Sequence, residues 1–284
     1  MSNIVTGEKI QQLCDIYLGL YGDFTFNPVI YNQQSKHCNF NFINEPFNNP
    51  TKLFCYSHNI NLLSTKIHFF QNDFILVTHN SDGEIRNTNE VNNILNCNKL
   101  IKWFGQNICI EHPKLFFLPI GLANSQWSHG NLSLFYNENF INNLKNNKTN
   151  NMYFNFNINT NFNKRQICYE SLKDKLVWLN TIDPIENQKR LSTYKFCICP
   201  EGNGVDSHRL WECLYLKVVP VVIKSEFTSI LEKQNIPLVI LENWCDFDIN
   251  KLNYSNFNFN CEKLQKLLNF ENYLNIQFNP FLRT

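Results

Sequence analysis

Residues 194–223 constrain the fold more than any other part of the sequence. They predict a strand at 194–199, a glycine loop at 200–204, a helix from about 207 to 216 and a second strand at 218–223. Two strands joined through a helix pair most readily in parallel, and a parallel sheet needs helices on its faces. The segment therefore predicts an α/β domain with a parallel sheet.

The same alternation of strands and helices runs through the rest of the chain. In the first half, apolar runs predict strands at 74–78 and 115–118 and a helix at 91–100. The second half adds predicted strands at 152–158, 176–178 and 236–241 and predicted helices at 164–172 and 261–270. An apolar-poor, Asn-rich tract at 142–151 predicts a linker. We therefore predict an α/β protein of two Rossmann-like, doubly wound domains that face each other across a cleft, 1–148 and 149–284, with the last helix packing back on the first domain.

Charge and cysteine content narrow the function classes. Lys and Arg number 25 and Asp and Glu 24, a formal charge of +1, so no long-range field attracts nucleic acid or anionic lipid. The longest apolar stretch, 115–123, is far below the roughly 18 residues of a membrane-spanning helix. Eleven cysteines lack a CxxC pair and no secretory signal is visible, which predicts reduced thiols rather than disulfides or a zinc site in a cytoplasmic protein.

The glycine loop and the helix after it carry the strongest chemical signal. In CPEGNGVDSHRLWE, residues 199–212, two glycines allow backbone N–H groups to converge on an anion. Asp206 or Ser207 can cap the helix, which places His208 and Arg209 in its first turn beside a bound diphosphate. Glu212 shares their face and can accept hydrogen bonds from a ribose diol. In the alternative interpretation the glycines form a tight turn, Arg209 pairs with Glu212 and His208 is a capping residue.

These residues also resemble a known family. The segment FCICPEGNGVDSHRLWECLYLKVVPVVI (196–223) resembles the donor-binding segment of exostosin-like glycosyltransferases, which are related to glycosyltransferase family 47. The resemblance extends to LVTHNSD (76–82), KLIKWFGQN (99–107), HPKLFFLPIGLANSQWSHG (112–130) and NFNINTNFNKR (155–165). Short members of this family occur in bacteria and large DNA viruses.

The resemblance implies a fold of the GT-B type and inverting sugar transfer without an essential metal. The donor would be a nucleotide diphosphate sugar, with UDP the expected nucleotide, and the acceptor a glycan hydroxyl. Matching the family's motif residue by residue assigns Arg209 to the diphosphate and Glu212 to the ribose. Glu201 stands where many relatives carry Arg, and Lys217 stands where Gly usually precedes the next strand. The predicted donor-binding residues are Gly202, Asn203, Gly204, His208, Arg209, Glu212, Arg165 and Thr160.

Inverting transfer also needs a base for the acceptor hydroxyl. Asp82 and His79 follow a predicted strand of the first domain, and Asp82 is the preferred candidate. Alternatively, Asp82 forms an Asx-turn with Gly83 and His79 is a surface residue at the end of a strand. Asn124, Ser125, Trp127 and His129 are predicted to line the acceptor site, with Trp127 stacking on a sugar.

The same sequence also allows other interpretations. Trp127 can equally cover the core as a loop residue, and Arg165 can be a surface arginine on a helix. The DxD string Asp246-Phe247-Asp248 is a weak metal signal, because it follows an apolar strand late in the second domain. A non-catalytic nucleotide-sugar or glycan-binding module would share the donor pocket. A sugar-nucleotide epimerase is disfavoured, since no Tyr-xxx-Lys pair accompanies a dinucleotide fingerprint.

Overall fold

The computed structural model describes residues 3–25, 31–145 and 147–274. The chain forms two compact units, which divide between Ile120 and Gly121, ahead of the predicted limit at residue 148. The N-terminal unit comprises Asn3–Ile120 together with the segment that begins at Asn269, and the C-terminal unit comprises Gly121–Leu268. Each unit is built on one parallel sheet with helices, so the molecule is a mixed α/β protein compatible with Rossmann-like domains.

The N-terminal unit contains a six-stranded parallel sheet of order β2-β1-β3-β4-β5-β6. Its strands are β1 Ile16–Gly19, β2 His37–Asn39, β3 Lys52–Tyr56, β4 Phe74–His79, β5 Leu100–Gly105 and β6 Leu115–Phe117. Every residue of β4 is buried, as expected of a central strand with both faces covered. The carboxyl ends of β1, β3 and β4 are neighbours at one edge of this sheet.

Helices α1 Gly7–Gln12, α2 Ile60–Lys66 and α3 Asn89–Leu95 belong to the same unit. The helix predicted at 91–100 is α3, which begins earlier because the Thr88 hydroxyl accepts a hydrogen bond from the N–H of Val91. It ends at Leu95 because Leu100 is already paired with Phe74 in the sheet. The strand β5 is therefore an element that the prediction missed.

The segment after Leu268 completes the N-terminal unit. Asn269 forms an antiparallel bridge with Ile4, and the N–H of Phe270 donates to the carbonyl of Asn3 over 2.7 Å. The ring of Phe270 lies 5.4 Å from the Lys9 ammonium. The chain therefore leaves this unit at residue 120 and returns to it at residue 269.

The C-terminal unit contains a four-stranded parallel sheet of order β10-β9-β8-β7. Its strands are β7 Asn150–Tyr153, β8 Tyr194–Ile198, β9 Val219–Ile223 and β10 Val239–Leu241. Its helices are α4 Glu138–Asn143, α5 Phe162–Leu172, α6 Pro184–Ser192, α7 His208–Tyr215, α8 Glu226–Lys233 and α9 Glu262–Leu268. The predicted succession of strand, glycine loop, helix and strand is confirmed as β8, loop, α7 and β9.

Two predicted strands of this unit differ in the structure. Residues 176–178 are not a strand, because the N–H of Leu176 still bonds to Leu172 and the chain then turns so that Trp178 packs edge-on against aromatic rings of the core. The strand predicted at 152–158 is β7, which ends at Tyr153.

Helix α6 was not predicted, although Asp183 caps it and Pro184 occupies its first turn. The tract predicted as a linker lies inside this unit, where the half-buried Lys148 donates from its ammonium to the carbonyls of Ser192 and Leu216.

Lys217 lies at the end of α7 in a backbone conformation that favours glycine. Helix α7 ends in a Schellman motif, in which the N–H of Val218 bonds to Cys213 O and that of Lys217 bonds to Leu214 O. This motif requires a left-handed residue after the cap, and Lys217 has a φ of 54°. A side chain in that region is strained, and glycine is not.

We therefore expect Lys217→Gly to stabilise the protein. Removing the left-handed strain contributes about 1 kcal/mol, and the added freedom of the unfolded chain offsets part of it, so the expected gain is a few tenths to about 1 kcal/mol. Thermal and urea unfolding measure it. Lys217→Ala is the matched control, since it removes the same side chain but retains the strain, and a gain equal to that of Lys217→Gly would contradict this explanation.

Candidate active site

The glycine loop lies between β8 and α7 at the carboxyl end of the second sheet. Ser207 is the N-cap residue by position, with extended backbone, but its side chain makes no capping hydrogen bond. Asp206 is buried instead, and accepts a hydrogen bond from the indole N–H of Trp211 over 2.6 Å. Of the two capping candidates, Ser207 therefore holds the position, while Asp206 anchors the loop to the core.

The two glycines of the loop do not have the unusual backbone conformation that the sequence predicts. Among the described glycines only Gly121 has positive φ, so Gly202 and Gly204 do not adopt a backbone closed to other residues. Both are buried, whereas Asn203 between them is exposed. A Cβ added at Gly202 would meet the Arg165 Nη2 at 3.6 Å, ordinary van der Waals contact. The missing side chain at Gly202 keeps open the space in front of that guanidinium.

Arg165 connects α5 to the glycine loop. Its Nε donates to the carbonyl of Glu201 over 2.8 Å and its Nη1 to that of Asn157 over 2.7 Å. Burial, together with the nearby positive charge of Arg209, lowers the pKa of Arg165 to about 10. Arg165 therefore lies against the loop and is buried, so the alternative of a surface arginine is wrong, while its role toward a donor stays a prediction. Thr160, half-buried, lies in the turn that precedes α5.

Arg209 is the second guanidinium at the loop. Its Nε donates to Glu212 Oε2 over 3.0 Å, its Nη1 donates to Asn155 O over 2.9 Å, and its Cζ lies 5.5 Å from the centre of the Tyr153 ring. Burial opposes the charge of Arg209, but the Glu212 carboxylate and the Cys197 sulfur outweigh it and raise the pKa. The ion pair is the one that the alternative interpretation predicted, and the roles of both residues toward a ligand stay predictions.

The negative charge of Glu201 is compensated by its neighbour Lys164. Its carboxylate forms an ion pair with the Lys164 ammonium on α5. Asn161, the N-cap residue of α5, donates from Nδ2 to the carbonyl of Gly202 over 2.7 Å. The Lys164 ammonium thus offsets a carboxylate that would otherwise repel an anion at the loop. Lys164 and Asn161 were not predicted as site residues, although an Asn before a helix is a recognisable capping signal.

His208 joins the loop to the segment after Ile120. Its Nδ1 lies 2.9 Å from the carbonyl oxygen of Gly121, whose φ of 68° only glycine adopts readily. The ring of His129 lies 6.1 Å from that of His208, and Trp127 stacks beside His129 at 6.4 Å. Trp127 is 51% exposed, so it does not cover the core. These residues, predicted for the acceptor side of the first domain, belong to the same unit as the glycine loop.

The loop that carries Trp127 is closed by backbone contacts. The N–H of Trp127 bonds to Asn124 O, and the N–H of Gly130 bonds to Trp127 O. Asn124 is half-buried, and Ser125 and His129 are exposed. A Cβ at Gly130 would lie 2.0 Å from the carbonyl oxygen of Asn124, so this close approach requires glycine.

The two residues predicted as base occupy different environments in the N-terminal unit. His79 is fully buried at the end of β4, with Nε2 3.0 Å from the carbonyl oxygen of Pro119, so the alternative of a surface histidine is wrong. Asp82 is exposed. In this loop the N–H of Gly83 donates to the Ser81 hydroxyl over 3.5 Å, and the Asx-turn of the alternative interpretation is not among the described hydrogen bonds.

Three buried thiols lie behind the loop. The sulfur atoms of Cys197, Cys199 and Cys213 lie within 4.8 Å of one another. Burial favours the neutral thiol, but hydrogen bonds from the other two thiols and the charge of Arg209 lower the pKa of Cys197. All eleven cysteines are free, as predicted.

In the DxD string, Asp246 and Asp248 accept hydrogen bonds from the N–H groups of Asn243 and Asn250 and so cap short turns.

Comparison with known proteins gives a partial match. A segment of 81 residues is 32% identical to a probable glycosyltransferase of Arabidopsis thaliana. This segment is 28% of the present chain and 16% of the relative's length. No family model matches the chain. Within the described ranges, no helix is long and apolar enough to cross a bilayer.

Proposed function

We propose that this protein is an inverting glycosyltransferase of the GT-B type that moves a sugar from a nucleotide diphosphate sugar to a glycan hydroxyl. UDP is the proposed nucleotide, and no essential metal takes part. The observation that carries the proposal is the pair of guanidiniums, Arg165 and Arg209, held at a glycine loop before a helix. The match to a probable glycosyltransferase supports the same class of reaction.

The electrostatics of the loop favour a diphosphate. Two positive charges lie close enough that Arg209 contributes to lowering the pKa of Arg165. A bound anion would relieve this repulsion, and the start of α7 adds the positive end of a helix dipole. Lys164 neutralises the Glu201 carboxylate, so Glu201 presents no net charge to the ligand. The predicted set Gly202, Asn203, Gly204, His208, Arg209, Glu212, Arg165 and Thr160 remains the proposed donor site.

The same charges suit the chemistry of transfer. As the acceptor oxygen bonds to the anomeric carbon, the bond from that carbon to the diphosphate breaks and its electron pair remains on the leaving oxygen. Fixed donors aimed at developing negative charge stabilise such a transition state. Arg209, Arg165 and the loop N–H groups would do so here. Asn124, Ser125, Trp127 and His129 remain the proposed acceptor residues, and Trp127 exposes an indole face to a sugar ring.

Thermal unfolding with a panel of UDP-, GDP- and CMP-sugars and free nucleotides, with and without EDTA, tests this function. A ligand at 100 times its Kd adds roughly 2.7 kcal/mol of stability, so one nucleotide class is expected to raise Tm by several degrees irrespective of EDTA. Release of the nucleotide from that sugar is then measured with water and with a panel of oligosaccharides as acceptors.

Each outcome of this panel has a separate meaning. Binding with turnover supports a transferase. Binding without turnover on any acceptor supports the alternative of a non-catalytic nucleotide-sugar or glycan-binding module. The absence of any nucleotide effect would contradict the proposed donor site, and a shift abolished by EDTA would contradict metal independence and direct attention to the three buried thiols.

A further inference from the structure

The three buried thiols of the C-terminal unit form a compact set of soft ligands. Cys197 and Cys199 lie two residues apart in an extended segment, so their side chains point to the same face of the second sheet. The N–H of Cys199 bonds to the carbonyl of Val221, which continues the pairing of β8 with β9 beyond the last residue of β8. Cys213 reaches this face from α7, and its sulfur lies 3.8 Å from that of Cys199.

The spacing of the sulfur atoms suits a single metal ion. All three lie within 4.8 Å of one another. An ion at the centre of three sulfurs, with metal–sulfur bonds of about 2.3 Å, sets the sulfurs about 4.0 Å apart. No pair of sulfurs therefore has to approach by more than about 0.8 Å, which small adjustments of the side chains can supply.

The donor set favours monovalent copper. All three ligands are sulfur and at most 4% exposed, so water is excluded from the ion. Thiolates select soft ions such as Cu(I) and Zn(II), as well as iron–sulfur clusters. Structural zinc and iron–sulfur clusters call for four ligands, and among the described residues no fourth Cys, His, Asp or Glu completes the set. Cu(I) is stable with three sulfur ligands.

Two cations offset the charge that such a site would bury. Three thiolates and one Cu(I) carry a net charge of −2, and burying charge without compensation is costly. The Arg209 guanidinium interacts electrostatically with Cys197 and Cys213, and the Lys148 ammonium interacts with Cys213. Arg209 also pairs with the Glu212 carboxylate, so Lys148 supplies positive charge that no carboxylate among its described hydrogen-bond partners shares.

We propose that Cys197, Cys199 and Cys213 bind one Cu(I) ion in trigonal coordination. On binding, each thiol releases its proton to solvent and forms one sulfur–copper bond, and the ion keeps its oxidation state. The sequence predicted no metal site because it lacks a CxxC pair, but a CxC pair on a strand places both sulfurs on one face. The ion would connect β8 to α7 behind the glycine loop and stabilise this unit. It takes no part in the proposed sugar transfer, so the assignment stands independently of that function.

Anaerobic titration of the reduced protein with acetonitrile-stabilised Cu(I) tests the assignment. The thiols that are partly accessible are first replaced by serine so that they do not compete: Cys38, Cys97, Cys245 and Cys261. Because the site is buried, Cu(I) is added both to folded protein and during refolding from urea, and the wild type is titrated in parallel. Against a chromogenic Cu(I) chelator we expect one ion per chain. X-ray absorption should report three sulfurs at about 2.3 Å, and bound Cu(I) should raise Tm.

Single ligand substitutions in the four-serine background locate the ion. Cys213→Ala and Cys197→Ala should each lower Cu(I) affinity by about 100-fold or more, beyond the 10- to 100-fold loss typical of residues that only surround a metal site. Cys168→Ala is the matched control, because Cys168 is equally buried in the same unit but lies outside the cluster. This variant should bind one ion with unchanged affinity. Urea unfolding without copper verifies that each variant is folded.

Other results would overturn the proposal. Equal Cu(I) affinity in Cys213→Ala, Cys197→Ala and the four-serine background would place the ion elsewhere. The absence of binding in both folded and refolded protein would make the three thiols ordinary core residues. Stoichiometric binding of Zn(II) without binding of Cu(I) would refute the choice of ion, and two sulfurs in the X-ray absorption spectrum would refute trigonal coordination.

Discussion

Replacing Arg209 with alanine is expected to weaken nucleotide binding by up to about 150-fold. A hydrogen bond to a charged group contributes about 1.5–3 kcal/mol, which corresponds to roughly a 10- to 150-fold change in Kd. The loss should be at the upper end, because Arg209 also holds Glu212. Isothermal titration with the stabilising nucleotide measures the change.

The control for this variant must separate lost binding from lost folding. Arg209→Ala leaves the buried Glu212 carboxylate without its cation, which by itself destabilises the unit. Arg190→Ala is a matched control, since Arg190 also lies 5.5 Å from the centre of the Tyr153 ring but bonds to Asn180 rather than to the loop. Arg190→Ala should keep nucleotide affinity. Wild-type affinity in Arg209→Ala would refute the proposed donor site.

The second large effect is expected for Gly130→Ala, which should destabilise the C-terminal unit by about 1–3 kcal/mol. The new Cβ would lie 2.0 Å from the Asn124 carbonyl oxygen and 2.7 Å from its carbon, and backbone atoms cannot move aside as a flexible side chain can. The loop with Trp127 and His129 must then open. Urea unfolding measures the loss of stability, and tryptophan fluorescence reports the environment of the loop.

Gly22→Ala is the comparison for this variant, because an added Cβ there meets nothing within 4 Å. The same chemical change should therefore alter the free energy of unfolding by less than about 0.5 kcal/mol. Equal destabilisation by both substitutions would show that the close approach at Gly130 has no special energetic role.

Much of the fold could be predicted from the sequence because apolar runs and turn residues are local signals. The central strand β4 and the β8-loop-α7-β9 unit show this, since each consists of a buried apolar segment followed by glycine or polar residues. Strand β5 was missed because Lys102 interrupts its short apolar run and its first residue, Leu100, was assigned to the preceding helix. The run 176–178 was wrongly predicted as a strand because Trp178 packs into an aromatic cluster, while Val177 is exposed and neither pairs with a strand.

Some residues of the candidate site could likewise be predicted from local sequence signals, and others could not. Arg165, Arg209 and Glu212 were found because they flank a glycine loop at helical spacing or match a family motif. Asn161 and Lys164 lie 41 and 37 residues before their partners Gly202 and Glu201, and only the fold brings them together. Short-range sequence patterns do not encode such contacts.

The return of the chain to the N-terminal unit at Asn269 affects the order in which the two units can fold during synthesis. Domains generally fold in sequence as they leave the ribosome. Here the six-stranded sheet leaves the ribosome first. Phe270 and Asn269, the partners of Asn3 and Ile4, are translated only after the whole C-terminal unit. The backbone groups of Asn3 and Ile4 must remain without these partners until then. Completion of the N-terminal unit therefore depends on prior synthesis of the C-terminal unit.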